Sequence, residues 1–187
     1  MSGVAVYGLS KQVQETYGSG QLRRYTFRMD AHAHCGHCGK IFASSGWPRV
    51  CDGCHATSYR NPIPVAVVLI PVGGSGLLLI RRAIPPQAGK LALPGGFVNF
   101  GETWQDGGAR EVREETGLVI DPKSLREIRV CSAGDTVLIF AVAPGLPALP
   151  AFTPNAETSE QVVITKPVET AFPFHTEVVR EWFAARR

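Results

Sequence analysis

Residues 96–118 read Gly96-Phe97-Val98-Asn99-Phe100-Gly101-Glu102-Thr103-Trp104-Gln105-Asp106-Gly107-Gly108-Ala109-Arg110-Glu111-Val112-Arg113-Glu114-Glu115-Thr116-Gly117-Leu118. From Thr103 to Thr116 the chain turns to Glu, Arg, Ala and Gln, with Trp104, Ala109 and Val112 apolar and Gly117 placed as a stop. This predicts a helix over 103–116. Gly107 and Gly108 each cost roughly 1 kcal/mol relative to alanine in a helix interior, so they make sense only if close packing demands small residues there. Glu111, Glu114 and Glu115 stand at i, i+3 and i+4 and share one helix face. Unrelieved, such like charges destabilise a helix by roughly 0.2–0.5 kcal/mol per pair and raise one another's pKa. A divalent cation reverses both effects, and an all-oxygen ligand set suits Mg2+ or Mn2+. The plain alternative is a solvated acidic face.

The spacing decides between them. Gly96, five residues, Glu102, seven residues, then Arg110-Glu111-Val112-Arg113-Glu114-Glu115-Thr116-Gly117-Leu118 constrains nine positions within 23 residues and resembles the signature of the Nudix hydrolases. Leu78 to Arg82, Gly89 to Val98 and Ala171-Phe172-Pro173-Phe174-His175 are similar to segments of the NDP-sugar and ADP-ribose branches, so the resemblance covers most of residues 61–187. It implies an α+β fold, an α/β/α sandwich around a mixed β-sheet, in which a loop–helix–loop holds divalent metal against a substrate diphosphate. The chemistry is consistent with that division of labour. A diphosphate repels attack by water, and a bridging cation neutralises its oxygens and acidifies bound water.

Carried over position by position, the resemblance implies Glu111 and Glu115 as principal metal ligands. Glu114 would be a third or water-mediated ligand, and the Gly95 carbonyl a further oxygen. Arg110 would orient the carboxylates through bidentate hydrogen bonds. Glu102 either supports the loop or touches metal. The general base is a box glutamate or an acidic residue of a later loop, with Glu160 and Glu157 the candidates there. Gly96, Arg81 and Arg82 are substrate-binding candidates; strand alternation directs one arginine to phosphate and the other to solvent.

Upstream, Cys35-Xaa-Xaa-Cys38, twelve residues and Cys51-Xaa-Xaa-Cys54 have zinc-ribbon spacing. Four thiolates at roughly 2.3 Å close a tetrahedral structural Zn2+ site and leave no open position for chemistry. Iron in a rubredoxin-like site and a redox cysteine pair are the alternatives, and His32, His34, His37 and His55 crowd the same region. A zinc ribbon before a Nudix domain resembles the NADH pyrophosphatases, some of which remove NAD caps from RNA. That branch carries a Ser-Gln-Pro-Trp-Pro-Phe-Pro-like stretch after the box, and Ile120 to Ala133 holds nothing comparable. The resemblance therefore implies a metal-dependent pyrophosphohydrolase, NDP-X plus water giving NMP plus X-phosphate, with an ADP-ribose-like substrate favoured. NADH or NAD-cap hydrolysis is the alternative. So is a non-catalytic sensor of nucleotide or RNA, which would grip RNA through Arg23, Arg24, Arg28, Lys40 and Arg49. Homodimers are common among relatives and leave no mark in the sequence.

The remaining chain bounds these readings. With 187 residues, 44% hydrophobic and 19% charged, it is not a wholly disordered chain, and a net charge of +3 is too small to predict nucleic-acid binding by bulk electrostatics. The longest apolar run, Val65 to Val72, falls far short of the roughly 20 residues that span a bilayer, and Met1 to Ser10 lacks the pattern of a secretory signal, so a cytoplasmic protein is expected. Residues 1–60 carry seven Lys/Arg against three Asp/Glu, and Pro62 and Pro64 hold an extended connector. This predicts three regions: a segment 1–30 without readable role, in which Leu22, Tyr25 and Phe27 fit a strand; a zinc ribbon over 31–60; and a Nudix domain over 61–187. Within the last, Val65–Val72 and Leu77–Ile80 read as a β-hairpin around Gly73-Gly74-Ser75-Gly76, with strands at 125–131, 136–142 and 161–165. Residues 144–154 read as a Pro-rich loop, and Thr176–Arg187 as a C-terminal helix with Val178, Val179, Trp182 and Phe183 on one stripe. Trp47, Trp104 and Trp182 read as packing anchors, with base stacking the alternative, and Cys131 as a small buried strand residue.

Overall fold

The chain divides into two compact units, Met1–Arg60 and Asn61–Arg187. The computed structural model describes residues 32–186 and, before them, the antiparallel pairing of β1 (Gln12–Val13) with β2 (Tyr25–Thr26). Leu22, Phe27, Arg23, Arg24 and Arg28 lie outside the described residues.

In the first unit β3 (Arg49–Val50) pairs antiparallel with β4 (Thr57–Ser58), and His34 bridges Ile41. Two knuckles repeat one hydrogen-bond pattern. The Cys35 N–H donates to Lys40 O and the Gly39 N–H returns to Cys35 O; likewise the Cys51 N–H donates to Ala56 O and the His55 N–H returns to Cys51 O. Both turns need a left-handed residue four positions after the first cysteine, supplied by Gly39 (φ 75°) and by His55 (φ 59°). Arg49 is buried and donates to the carbonyls of Gly46 and His32, with its guanidinium 4.3 Å from the Trp47 ring centre. It is thereby taken up inside the unit rather than offered to a polyanion, which corrects its inclusion among RNA-gripping residues. Trp47 also meets His32 and Phe42 edge-on and acts as a packing anchor.

The second unit is built from two sheets and two helices. β5 (Ile63–Leu69) runs parallel to β11 (Thr136–Val142) and antiparallel to β9 (Gly95–Phe97), with β10 (Arg126–Ala133) outermost on β11. The second sheet orders β12 (Thr158–Ile164), β7 (Gly76–Arg82) and β6 (Pro71–Val72), with β8 (Leu91–Ala92) also on β7. The expected hairpin is thus confined to β6 and β7. β5 joins the other sheet because the Val68 N–H goes to Pro94 O and the Leu69 carbonyl receives the Ala143 N–H.

Alternation along β5 and β7 sorts the core into two layers. Val67, Leu69, Leu77 and Leu79 pack with Val178, Val179, Trp182 and Phe183 of α2 (Pro173–Ala184). Val68, Ile70 and Leu78 pack with Ala109 and Val112 of α1 (Trp104–Thr116). Strands covered on both faces explain the near-continuous apolar runs, and each fully buried aliphatic side chain contributes about 1.5–3 kcal/mol.

Several boundaries differ from the sequence reading. α2 starts at Pro173 rather than Thr176, since proline suits the first helical position, where no N–H is required. β12 starts at Thr158 rather than Gln161. Cys131 is partly rather than fully buried, and the 144–154 loop is pinned where Leu146 exchanges hydrogen bonds with Pro71 and Gly73. Trp104 and Trp182 pack against the two cores. Among the described residues no helix is long and apolar enough to cross a membrane.

Candidate active site

α1 is closed at both ends. Thr103 caps it by accepting the Asp106 N–H, and Gly117, at φ 73°, returns its own N–H to Arg113 O. A Cβ on Gly108 would lie 3.2 Å from Val68 and 3.4 Å from Ala66, so Gly108 lets α1 lie close on β5, while Gly107 faces Val98 and Glu102. That approach brings the helix glutamates against β9. Glu115, only 4% exposed, accepts the Gly95 N–H at 2.8 Å. Glu111 fills the space over Gly96, where a Cβ would sit 2.4 Å from its carboxyl carbon.

Arg110 gathers the acidic groups. Its Nε and Nη2 grip the two Glu102 oxygens at 2.8 and 3.1 Å, while Nη1 donates to Glu111 at 2.7 Å and to Glu114 at 3.1 Å. Nη2 also donates to the Phe97 carbonyl. Glu102 accepts the Asn99 N–H as well, and its hydrogen bonds to Arg110 hold its carboxyl down at about 2. It braces the loop ahead of α1.

Glu115 behaves oppositely. Burial pushes its carboxyl up to about 8, the Gly95 N–H pulls against the shift, and the charges of Glu111 and Glu157 add to it. Glu111 is also raised by burial, against the pull of Arg110. A buried carboxyl with one N–H donor beside a second carboxyl is costly to ionise, and a divalent cation would offset that cost. The three helix glutamates do not close on one point, because Arg110 draws Glu111 and Glu114 to a single nitrogen while Glu115 points to Gly95.

The two loop candidates part company. Glu160 lies inside β12 and pairs with Arg81 at 2.6 Å, whereas Glu157, just ahead of β12, acts electrostatically on both Glu111 and Glu115. The arginines diverge too. Arg81 also donates to Gly89 O, while Arg82 donates to Pro86 O, lies 5.2 Å from the Phe172 ring centre and pulls on Glu115.

In the first unit the Sγ atoms of Cys35, Cys38, Cys51 and Cys54 all lie within 4.8 Å of one another, with the 35–54 pair at 3.7 Å and the 38–51 pair at 3.5 Å. Tetrahedral zinc with bonds of about 2.3 Å requires sulfur–sulfur edges of about 3.8 Å, so the cluster fits it. The His37 and Gly53 N–H groups point at Cys35 and Cys51, and N–H groups of Cys54 and Gly53 bring the Cys51 thiol down to about 6.

Sequence reasoning missed Asn155 and His175. Asn155 reaches the end of α1 from the loop before β12, and nothing in a lone asparagine after a proline advertises that. His175 is buried between Phe140 and Phe172, and its Nδ1 accepts the Leu93 N–H at 3.3 Å. Its place within Ala171-Phe172-Pro173-Phe174-His175 was the available signal.

Comparisons with known proteins agree with this geometry. The chain is 53% identical over 67 residues to an ADP-ribose pyrophosphatase of Methanocaldococcus jannaschii, covering 36% of this chain and 39% of that protein. It is 32% identical over 100 residues to the NAD-capped RNA hydrolase NudC of Salmonella heidelberg, covering 52% of this chain and 37% of that one. The chain thus spans less than two fifths of these relatives' length. Among solved structures, a NUDIX hydrolase from Nitrosomonas europaea superposes with a TM-score of 0.68 at 25% identity, over 82% of this chain and 91% of its own. Residues 61–181 match the NUDIX domain, and the chain belongs to the Nudix family.

Proposed function

We propose that residues 61–187 hydrolyse a diphosphate bond in a nucleoside diphosphate derivative, giving NMP and X-phosphate, with an ADP-ribose-like substrate favoured. The observation that carries this reading is the Glu115 carboxyl buried beside Glu111 under β9, two acids whose joint ionisation a bound cation would favour. Nudix enzymes generally depend on a divalent metal. Here Glu111 and Glu115, with Glu114 and the Gly95 carbonyl, would hold Mg2+ or Mn2+, which when bound neutralises diphosphate oxygens and acidifies water. Gly96, having no side chain, leaves room for the Glu111 carboxylate itself. Arg110 fixes Glu111 and Glu114 and is itself fixed by Glu102.

Glu157 is the better candidate to take the proton from attacking water. Its charge reaches the Glu111–Glu115 pair, while Glu160 is engaged by Arg81. Arg82, whose charge also reaches Glu115, is the better candidate for a phosphate contact. The four cysteines would hold a structural Zn2+ that staples a unit too small to stabilise itself by burial.

The ADP-ribose preference draws on the relative from Methanocaldococcus jannaschii, and the NudC relative supplies the second reading, an NAD-capped RNA or NADH substrate. Incubation with Mg2+ or Mn2+ and a panel of ADP-ribose, NADH, sugar nucleotides, dNTPs and NAD-capped RNA separates them. AMP and ribose 5-phosphate from ADP-ribose at the highest kcat/KM support the first reading, and faster turnover of NADH or capped RNA replaces it with the second. Tight binding without turnover of any member would establish a sensor instead.

A further inference from the structure

The side chain of Asn155 joins two parts of the site that are distant in sequence. Its Nδ2 donates to the carbonyls of Glu114 at 2.9 Å and Glu115 at 3.4 Å, the last turn of α1. Its Oδ1 accepts the N–H groups of Glu157 at 2.9 Å and Thr158 at 2.8 Å, and its own N–H donates to Thr158 O. The final carbonyls of a helix lack intrahelical donors, and an amide is the side chain that offers donor and acceptor on one rigid plane. A local asparagine turn accounts for the Oδ1 bonds alone; it does not account for the reach across some forty residues to the carboxylate helix.

Glu157 is held from its other side as well, since its carbonyl accepts the Ala83 N–H at 2.8 Å, next to Arg82. Its backbone is therefore pinned between the end of β7 and Asn155. Gln161 makes a separate tie to the same helix end, donating to Thr116 O at 2.7 Å.

We infer that Asn155 is a positioning residue for hydrolysis: its amide fixes the offset between Glu157 and the Glu111–Glu115 pair by bonding to the main chain of both segments. This rests on the hydrolase reading above. The residue touches no substrate in this account and acts through Glu157, so its loss is felt in turnover rather than in binding. Misplacement of a reacting group by about 1 Å costs up to roughly 100-fold.

The test uses the full chain with Mg2+ and whichever panel substrate turns over fastest. Asn155→Ala should lower kcat by roughly 10- to 100-fold with KM within about twofold. In a Glu157→Gln background the same substitution should change kcat by less than about threefold, because residues acting as one unit are not additive. Asn155→Asp, which keeps the acceptors for Glu157 and Thr158 but loses the donor to α1, should fall between wild type and Asn155→Ala. Gln161→Ala, which releases the same helix end without touching Glu157, should lower the thermal midpoint and keep kcat. Mn2+ affinity read by electron paramagnetic resonance should stay within about threefold in Asn155→Ala, since the carboxylates remain; a larger loss would mean that Asn155 shapes the metal site instead and would overturn the inference. An undiminished kcat in Asn155→Ala, or a full multiplicative loss in the double variant, overturns it too. An inert wild type would overturn the hydrolase reading itself, a result distinct from either.

Discussion

The backbone N–H of Gly95 donates to the Glu115 carboxylate at 2.8 Å, tying β9 to the buried last turn of α1. The two adjacent glycines serve this junction differently. A Cβ on Gly95 would lie 2.3 Å from Ala66 O and 2.7 Å from Val67 Cα, main-chain atoms that cannot yield, and its φ of 151° disfavours any other residue. On Gly96 the obstacle is the flexible end of Glu111. Gly95→Ala should cost more than about 3 kcal/mol in urea denaturation, whereas Gly96→Ala should cost less than about 2 kcal/mol while lowering kcat at least tenfold. Equal stability losses would contradict this division.

The shifted acids set a pH signature for residues 61–187 without a divalent cation. Glu115 keeps its proton up to about pH 8 when folded and to 4.5 when unfolded, so its contribution is complete below 4.5 and is lost as pH rises through 8; Glu111 acts in the same sense. His175 is opposite. Burial holds its imidazole neutral to about pH 3 against 6.5 unfolded, so its contribution is lost as pH falls through that window, and Glu102, held at about 2, adds to the loss below 4.5. Of these groups only the raised carboxylates act above pH 6.5. Stability should therefore fall by roughly 2 kcal/mol between pH 6.5 and 8.5. Denaturation followed by tryptophan fluorescence should show the fall in wild type and its absence in Glu115→Gln; an equal fall in both would remove Glu115 as its source.

Arg81 and Glu160 make a single ion pair with side chains 38% and 53% exposed. Such pairs contribute about 0–1 kcal/mol. Glu160→Gln should change stability by less than about 1 kcal/mol and turnover by less than about threefold, whereas Glu157→Gln should lower kcat by roughly 100-fold or more, within the range for general-base loss. The reverse ranking in steady-state assays would restore Glu160 as the base.

The cysteine cluster predicts one tightly held Zn2+ per chain. Cys51→Ser, or treatment with a strong chelator, should abolish it and open residues 32–58 to limited proteolysis, because such a unit lacks a sufficient apolar core of its own. Metal analysis that returns iron would replace zinc in the account. Full metal retention and protease resistance in the serine variant would show that the cluster is not a structural site.

What could be read from the sequence followed the physics of each element. The carboxylate helix was legible because its signals are local: a capping threonine, a stop glycine and glutamates one turn apart. The paired glycines look like a defect until β5 is seen against Gly108, and Val98 and Glu102 against Gly107. The partner of β5 was not legible, since a strand buried on both faces has no alternation to name its neighbour, and the turn at Gly73-Gly74 suggested the wrong one. In the site, residue types were readable and their division of labour was not. Glu157 and Glu160 differ by three positions, and the register shift between Thr158 and Glu160 helps decide which meets Arg81. Asn155 resembled an ordinary turn former because its second half is a contact with a distant helix.

Glu115 carries the central claim. Purified wild type and Glu115→Gln should be compared for Mn2+ affinity and for hydrolysis of ADP-ribose, with circular dichroism as the control for folding. The variant keeps an acceptor for the Gly95 N–H and should fold normally, bind Mn2+ at least tenfold more weakly, and lose roughly 1000-fold or more in kcat, as expected where a metal supplies several kcal/mol of transition-state stabilisation. A folded Glu115→Gln protein with wild-type Mn2+ affinity and wild-type turnover would contradict the account.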